Sequence, residues 1–549
     1  MTDTKSKNKI FFDVLLLILL AVFGFWVNRD IVIKGLYMDD LYMWSCYGEQ
    51  SLKEFVLPVG TSTRFRPVYW LAAYIQMFIV GNHINRFVGF NIVVNLIVVI
   101  MLYYMSVKLS RSRITAFFVG AAYLSSRFAY YQIGQALGLM ETMALGFAIA
   151  ILWLLYRYMK EGKGYYPALI IFFLLVFTHE RYLSLFPLFY LVLILRVIGT
   201  KPGVNGESLS AYGSGANKSI INAVSGETDG IINNSKSDTR EIRSRFGIRN
   251  IAAWVTPAAE LILIVLIRMF TIGKAMPAGT GGTEVTDTFG LMQTINFCKD
   301  QIKYIFGINA GPEYLNGLPW EMSPAYIQKT VIAGCVVIGL VVLIYIAELI
   351  RRKDRKVLFD AVSSGLLFAG FIALCIGCSS VTIRLEMRWI YVSFTAALLY
   401  AAYMIGFIGE DGQRVLRTAA LSMFAVYAVI TIYVNIFYRG YFINIYFWQD
   451  QLRMNSLAEQ TVEKYGMDNI LGNDIYILEN SYGMSEFYAD TFFKTFDKDK
   501  KAEGTKVIFA DNERNIDTEA VKEGRALVIK ELPEEHAYLD ITEEVKAAQ

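Results

Sequence analysis

The chain reads as a polytopic α-helical membrane protein that ends in a small α/β domain. Three observations predict this. Of its 549 residues, 55% are hydrophobic and only 18% charged, against about 25% charged in soluble domains. Apolar runs of about 20 residues, enough to cross a hydrocarbon core, recur up to residue 438. From residue 439 the chain turns charged, with short strand-like runs at Asp474–Leu478, Lys506–Ala510 and Ala526–Lys530 between helical patterns.

The spans fall near 10–28, 87–107, 114–131, 139–156, 166–178, 182–198, 251–272, 330–349, 358–378, 390–408 and 418–438, about eleven in all. Lys5, Lys7 and Lys9 precede the first, and no small-residue cleavage site follows it, so it reads as an uncleaved span. Basic residues then alternate between loops. Lys108, Arg111 and Arg113, then Arg157, Lys160 and Lys163, the stretch Arg240 to Arg249, Arg351 to Lys356, and Arg414 with Arg417 share one side. The positive-inside rule makes that side cytoplasmic, together with the N-terminus, and leaves the C-terminus extracytoplasmic. Merging 166–198 into one span would bury His179, Glu180 and Arg181 at mid-bilayer and throw Arg351 to Lys356 outside. Two short legs with His-Glu-Arg at the outer turn avoid both consequences.

Residues 1–438 thus form the transmembrane part and 439–549 an extracytoplasmic soluble α/β domain. Within the first lie a long outer loop, 29–86, and a flexible cytoplasmic loop, 199–250, rich in Gly, Ser and Asn. Pro67 to Val80 is apolar and aromatic but short, a length suited to a helix lying in the interface.

Composition excludes several classes. A formal charge of +3 is too small for a nucleic-acid partner. Five cysteines in so long a chain make no disulfide framework; Cys375 and Cys378, spaced CxxC, sit in an apolar span as small packing residues. Three histidines without ligand spacing make no zinc site. An oxygen-ligated divalent cation on Asp39 and Asp40 is the one metal these residues allow.

Ionisable residues collect at the outer face. Asp39 and Asp40 follow the first span. Arg64 and Arg66 precede the interfacial helix, Glu141 opens the fourth span, and His179-Glu180-Arg181 caps the short hairpin. Arg384, Glu386 and Arg388 lie in a later outer loop. Carboxylates beside a bilayer are too costly to desolvate to be filler. One face bearing carboxylates and arginines suits transfer from a phosphate-linked donor. A carboxylate deprotonates the attacking hydroxyl, and guanidinium groups hold a phosphate by paired hydrogen bonds. Plainer roles stand beside these: Asp-Asp as a helix cap, the arginines as snorkelling anchors, Glu141 as a charge on a helix N-terminus, and His179 with Glu180 as a turn network.

On these residues the chain resembles the GT-C class of integral-membrane glycosyltransferases. It looks closest to the branch holding protein O-mannosyltransferases and the lipid A aminoarabinose transferase. The family's acidic pair in the first outer loop is matched by Asp39-Asp40. Its basic-Pro element opening an interfacial helix is matched by Arg66-Pro67-Val68-Tyr69-Trp70-Leu71, with one proline fewer. Gly81 to Arg86 resembles the Gly-x-x-x-x-Arg stretch that follows, and Glu141 in Leu139-Met140-Glu141-Thr142 the acid of the fourth span. Thr178-His179-Glu180-Arg181 before Pro187 is similar to a Lys-Glu element, with histidine in the basic place, and Arg388-Trp389 to a late Arg-Tyr.

The resemblance implies a GT-C-like fold and a polyprenyl-phosphate sugar donor used on the extracytoplasmic side of a plasma membrane. The acceptor would be a cell-wall polymer, a glycolipid or a protein. It implies Asp39 as the base with Asp40 in support. Arg64, Arg66, Arg384 and Arg388 are then candidates for the donor phosphate, and Glu141, His179, Glu180 and Arg181 for binding substrate. Two other functions remain open on the sequence: a transporter or flippase of lipid-linked saccharides, and a non-catalytic envelope assembly protein built around 439–549. A transporter would carry charges at mid-span and two repeated halves; no internal repeat is visible.

Overall fold

A computed structural model describes residues 2–31, 33, 40, 43–44, 46–47, 50–57, 64–81, 86–136, 138–199, 248–277, 289–311, 319–409, 413–440, 448–479, 493, 506–532 and 537–548. In chain order the helices are α1 (Thr2–Val27), α2 (Leu52–Val56), α3 (Pro67–Val80), α4 (Arg86–Ser110), α5 (Arg113–Ser125), α6 (Arg127–Ile133), α7 (Gly138–Glu161) and α8 (Tyr165–Val176). A 3-10 turn at Glu180–Leu185 leads to α9 (Pro187–Gly199). There follow α10 (Ile248–Ile272), α11 (Leu291–Ile305), α12 (Ala325–Arg351), α13 (Arg355–Ser380), α14 (Met387–Ile408), α15 (Arg414–Arg439), α16 (Trp448–Tyr465) and α17 (Met467–Ile470).

Among the described residues nine helices are long and apolar enough to cross a membrane, against about eleven expected. The difference has a local cause. The run expected at 114–131 breaks at Ser126, which is extended (ψ 143°) and whose hydroxyl accepts the Ala129 N–H at 3.1 Å. The cap starts a new helix and leaves α5 only 13 residues long. The leg expected at 166–178 is a 12-residue helix, α8. Pro67–Val80 is a helix over the residues expected, and the chain does break at His179, between α8 and the 3-10 turn. The loop 199–250 lies almost wholly outside the described residues.

The central helix is α14. Nearly all of it, 89% of its most apolar stretch, is buried, against 17% for α1. Gly406 shows how closely α4 approaches it: a Cβ there would stand 1.9 Å from the Leu109 carbonyl oxygen. Deep in the bundle the Tyr123 and Tyr391 hydroxyls and the Asn95 amide oxygen form one hydrogen-bonded cluster, with the two rings stacked at 5.4 Å.

Among the described residues the basic loops share one end of the bundle. Arg417 donates to the Arg111 carbonyl at 3.0 Å, and Lys160 pairs with Asp360 at 3.4 Å. At the same end Arg113 grips Asp13 of α1 at 2.6 and 3.0 Å. The opposite end meets the physical demand that backbone groups at membrane depth find partners inside the protein. There Arg439, buried, donates to the carbonyls of Val27 at 2.8 Å and Leu124 at 3.2 Å, the last turns of α1 and α5. A cation at two helix C-termini is also favoured by their dipoles. Arg127 does the same for the Asn309 carbonyl at 2.9 Å. Pro257, inside α10, cannot donate to the Ala253 carbonyl four residues back. The Tyr165 hydroxyl does so instead, at 2.8 Å.

Beyond the spans, strands β1 (Asp474–Leu478), β2 (Lys506–Ala510), β3 (Ala526–Leu532) and β4 (Ala537–Asp540) form one sheet in the order β2-β1-β3-β4. The first three are parallel and β4 runs antiparallel to β3. Alternation gives the sheet two apolar faces: Ile475 and Ile477 pack with Leu457 of α16, and Tyr476 and Leu478 with Ala520 and Val545. The latter two come from the short helices α18 (Thr518–Lys522) and α19 (Thr542–Ala547). Coverage of both faces is what parallel strands require. The three expected strands are present; β4 is additional.

Candidate functional site

The sequence-predicted residues that the structure describes gather at the end of the bundle opposite the basic loops. Arg66 sits at the N-cap of α3, held there by Pro67 at the first helical position. Its guanidinium makes a two-pronged contact with Glu180, at 2.8 and 3.3 Å, across 114 residues of sequence. A third nitrogen approaches the Met140 sulfur at 3.2 Å. This pair is almost dry: the side chains are 7% and 1% exposed.

Next to it lies a second group. Glu141, in the first turn of α7, accepts from Arg181 at 2.7 Å and faces His179 Nε2 at 3.4 Å. Arg181 also donates to the Tyr182 hydroxyl at 2.9 Å, and its guanidinium lies 5.4 Å from the centre of the Trp389 ring. The tight 3-10 turn makes this convergence possible. It places Glu180 and Arg181, adjacent in sequence, on different partners, Arg66 and Glu141.

Trp389 connects this group to a third. Glu386 accepts from Arg384 at 2.8 Å and lies 3.8 Å from Arg388. Arg384 is half exposed, whereas Glu386 is buried. Asp40 is buried and accepts the Ala136 N–H at 3.1 Å, two residues before α7. Gly138 at the start of α7 lets the end of α6 fold back on it, since a Cβ there would lie 1.7 Å from the Gln132 carbonyl oxygen. Arg64 is half-buried, two residues before Arg66. Asp39 lies outside the described residues.

One contributor escaped the sequence reading. Arg268, near the end of α10, is buried, donates to the Met276 carbonyl at 3.0 Å, and lies close enough to Glu180 and Arg66 for its charge to act on both. A lone arginine in an apolar span was the signal, because a charge there faces the protein interior or marks a site.

Not every polar atom of the cluster is used. His179 Nδ1, Arg181 Nη1 and Arg268 Nε are buried without a hydrogen-bond partner within the described protein, and Glu141 Oε1 has only the 3.4 Å approach of His179 Nε2. Such atoms are costly to leave unmet. Together they offer donors and acceptors to a polar or anionic molecule. For a metal the arrangement offers less: among the described residues no three His, Cys, Asp or Glu side chains gather as ligands. Compared with known proteins, the chain matches no family model and no curated sequence.

Proposed function

We propose that the protein is a membrane glycosyltransferase that moves a sugar from a polyprenyl-phosphate donor to an extracytoplasmic acceptor. The observation that carries this reading is the buried charged cluster of Arg66, Glu141, His179, Glu180, Arg181 and Arg268, with polar atoms still open, at one end of the bundle. A hydroxyl-rich, phosphate-bearing substrate satisfies such atoms; a hydrocarbon does not.

In the proposed reaction, the carboxylate of Asp39 takes the proton of an acceptor hydroxyl as its oxygen bonds to the sugar's anomeric carbon. The bond from that carbon to the phosphate oxygen breaks, and polyprenyl phosphate leaves with the electron pair. Direct displacement inverts the anomeric centre. Arg66, already gripped by Glu180, acts as a positioning residue. Arg181 Nη1 and Arg268 Nε are the N–H groups left for the phosphate, and Arg384 and Arg388 flank them. Glu141 and His179 face sugar or acceptor hydroxyls. Asp40, whose carboxylate accepts the Ala136 amide, supports Asp39. A divalent cation on the two aspartates would assist the leaving phosphate. The acceptor class is a cell-wall polymer, a glycolipid or a protein, and the membrane a plasma membrane with the N-terminus cytoplasmic and the C-terminus outside.

A transporter or flippase is the alternative, but the cluster gathers at one end of the spans rather than at mid-depth, which favours the transferase. The test is transfer from a panel of radiolabelled polyprenyl-phosphate sugars into envelope acceptors by the reconstituted chain. Wild type should transfer from one donor, and Asp39→Asn should lose at least about a hundredfold of that rate, as loss of a general base implies. A fully active Asp39→Asn/Asp40→Asn double variant would overturn the base assignment. Donor translocation without transfer would move the reading to a flippase.

A further inference from the structure

A second site lies apart from the charged cluster. Helices α12 and α13 are consecutive, joined by the turn at residues 352–354, yet they make almost no contact with each other along their length. α13 packs on α14, and α12 packs chiefly on α15 and secondarily on α14. The wedge between them is a groove of about 790 Å³, walled by Leu340 and Ile376, floored by Ala397 and Ala401 of α14, and closed at one end by Ile302 and Phe306 at the end of α11. Its lining is almost wholly apolar. Gly339, near the midpoint of the 27-residue α12, also faces it, and a Cβ there would touch nothing within 4 Å.

A void of this size is not left empty in a packed protein, and an apolar one does not fill with water. At the mid-length of membrane-crossing helices the surrounding medium is hydrocarbon. The groove opens towards that medium between α12 and α13. Its closed end carries charge. Lys299, Ile302 and the C-cap Phe306 are spaced i, i+3 and i+7, so they lie along one face at the end of α11, and Lys299 lies three residues, about 4.5 Å, beyond the groove. Lys299 is exposed there, whereas Lys303 is paired with Asp300 at 2.9 Å. An ammonium group just past the end of an apolar slot complements a phosphodiester just past the end of a hydrocarbon chain.

We propose that this groove holds one acyl chain of a resident anionic phospholipid, with the phosphate beside Lys299. The site requires only that the helices cross a bilayer and is independent of the transferase reading. The full chain is reconstituted in nanodiscs of equal phosphatidylglycerol and phosphatidylcholine, released, and examined by native mass spectrometry. Wild type should retain one phospholipid, with phosphatidylglycerol preferred about fivefold. Gly339→Phe should abolish retention, and Ala397→Leu should reduce it where the larger residue impairs folding; thermal unfolding identifies the folded variants. Lys299→Gln should remove the headgroup preference but keep the lipid. Wild type without a retained lipid would overturn the proposal. So would retention unchanged in a folded Gly339→Phe or Ala397→Leu, or an isoprenoid phosphate rather than a phospholipid extracted from the protein as isolated.

Discussion

Breaking the Arg66–Glu180 pair gives the sharpest test of how the site is held. Arg66→Met keeps the length and apolar stem of the side chain but removes two charge-assisted hydrogen bonds, leaving a carboxylate that is 1% exposed. Stranding one member of a buried pair costs about 3–5 kcal/mol. Arg268 remains near Glu180 and offsets part of that, so about 3 kcal/mol is expected. Glu180→Gln in the Arg66→Met background removes the stranded charge, and the double variant should recover at least about 1 kcal/mol relative to Arg66→Met alone. The assay is a double-mutant cycle of unfolding free energies in mixed micelles, with glycosyl transfer measured alongside. A cost under about 1 kcal/mol for Arg66→Met would refute the reasoning. So would a double variant no more stable than Arg66→Met, because the pair would then not be holding the 3-10 turn against α3.

Three further outcomes follow from other contacts. Tyr165→Phe should destabilise the bundle by about 1 kcal/mol by stranding the Ala253 carbonyl, whereas in a Pro257→Ala background, where the helix supplies its own N–H, the same change should cost little. Gly406→Ala forces a Cβ against the Leu109 carbonyl oxygen and should cost about 2 kcal/mol or more, read as a lower melting temperature. In the C-terminal sheet, burial raises Asp540, but Lys464, the nearby Tyr465 hydroxyl and the Thr542 amide hold it well below the usual carboxylate range. Its stabilisation is therefore present above the unfolded value near 3.8 and is lost as pH falls below it. Hydrogen exchange at Val528 to Glu531, corrected for intrinsic rates, should speed up under acid, and Asp540→Asn should flatten that response.

What was legible in the sequence was whatever is periodic or local. The long spans declare themselves by composition, α3 by the proline at its first position, and β1 by Ile475, Ile477 and their alternation with Tyr476 and Leu478. The break at Ser126 was not legible, because a serine inside an apolar run is ordinarily accommodated by its own helix; only its capping of Ala129 shows the interruption. β4 is four residues long, too short for alternation to register. The site residues were visible as charges in costly places, but their pairing was not. Arg66 meets Glu180 across 114 residues, a distance no periodicity spans, and Arg268 was absorbed into a mostly apolar helix that also carries Glu260.

The contact of Arg439 with the first and fifth helices bears on how the protein is made. Arg439 is synthesised 412 residues after Val27 and 315 after Leu124. At 5–20 residues per second, about 20 to 80 seconds separate Val27 from the guanidinium that accepts its place beside it. During that interval the early segments sit in the membrane without the donor their last carbonyls finally use. The insertion machinery, and whatever proteases survey it, therefore meet an intermediate whose first helices are threaded but not yet sealed.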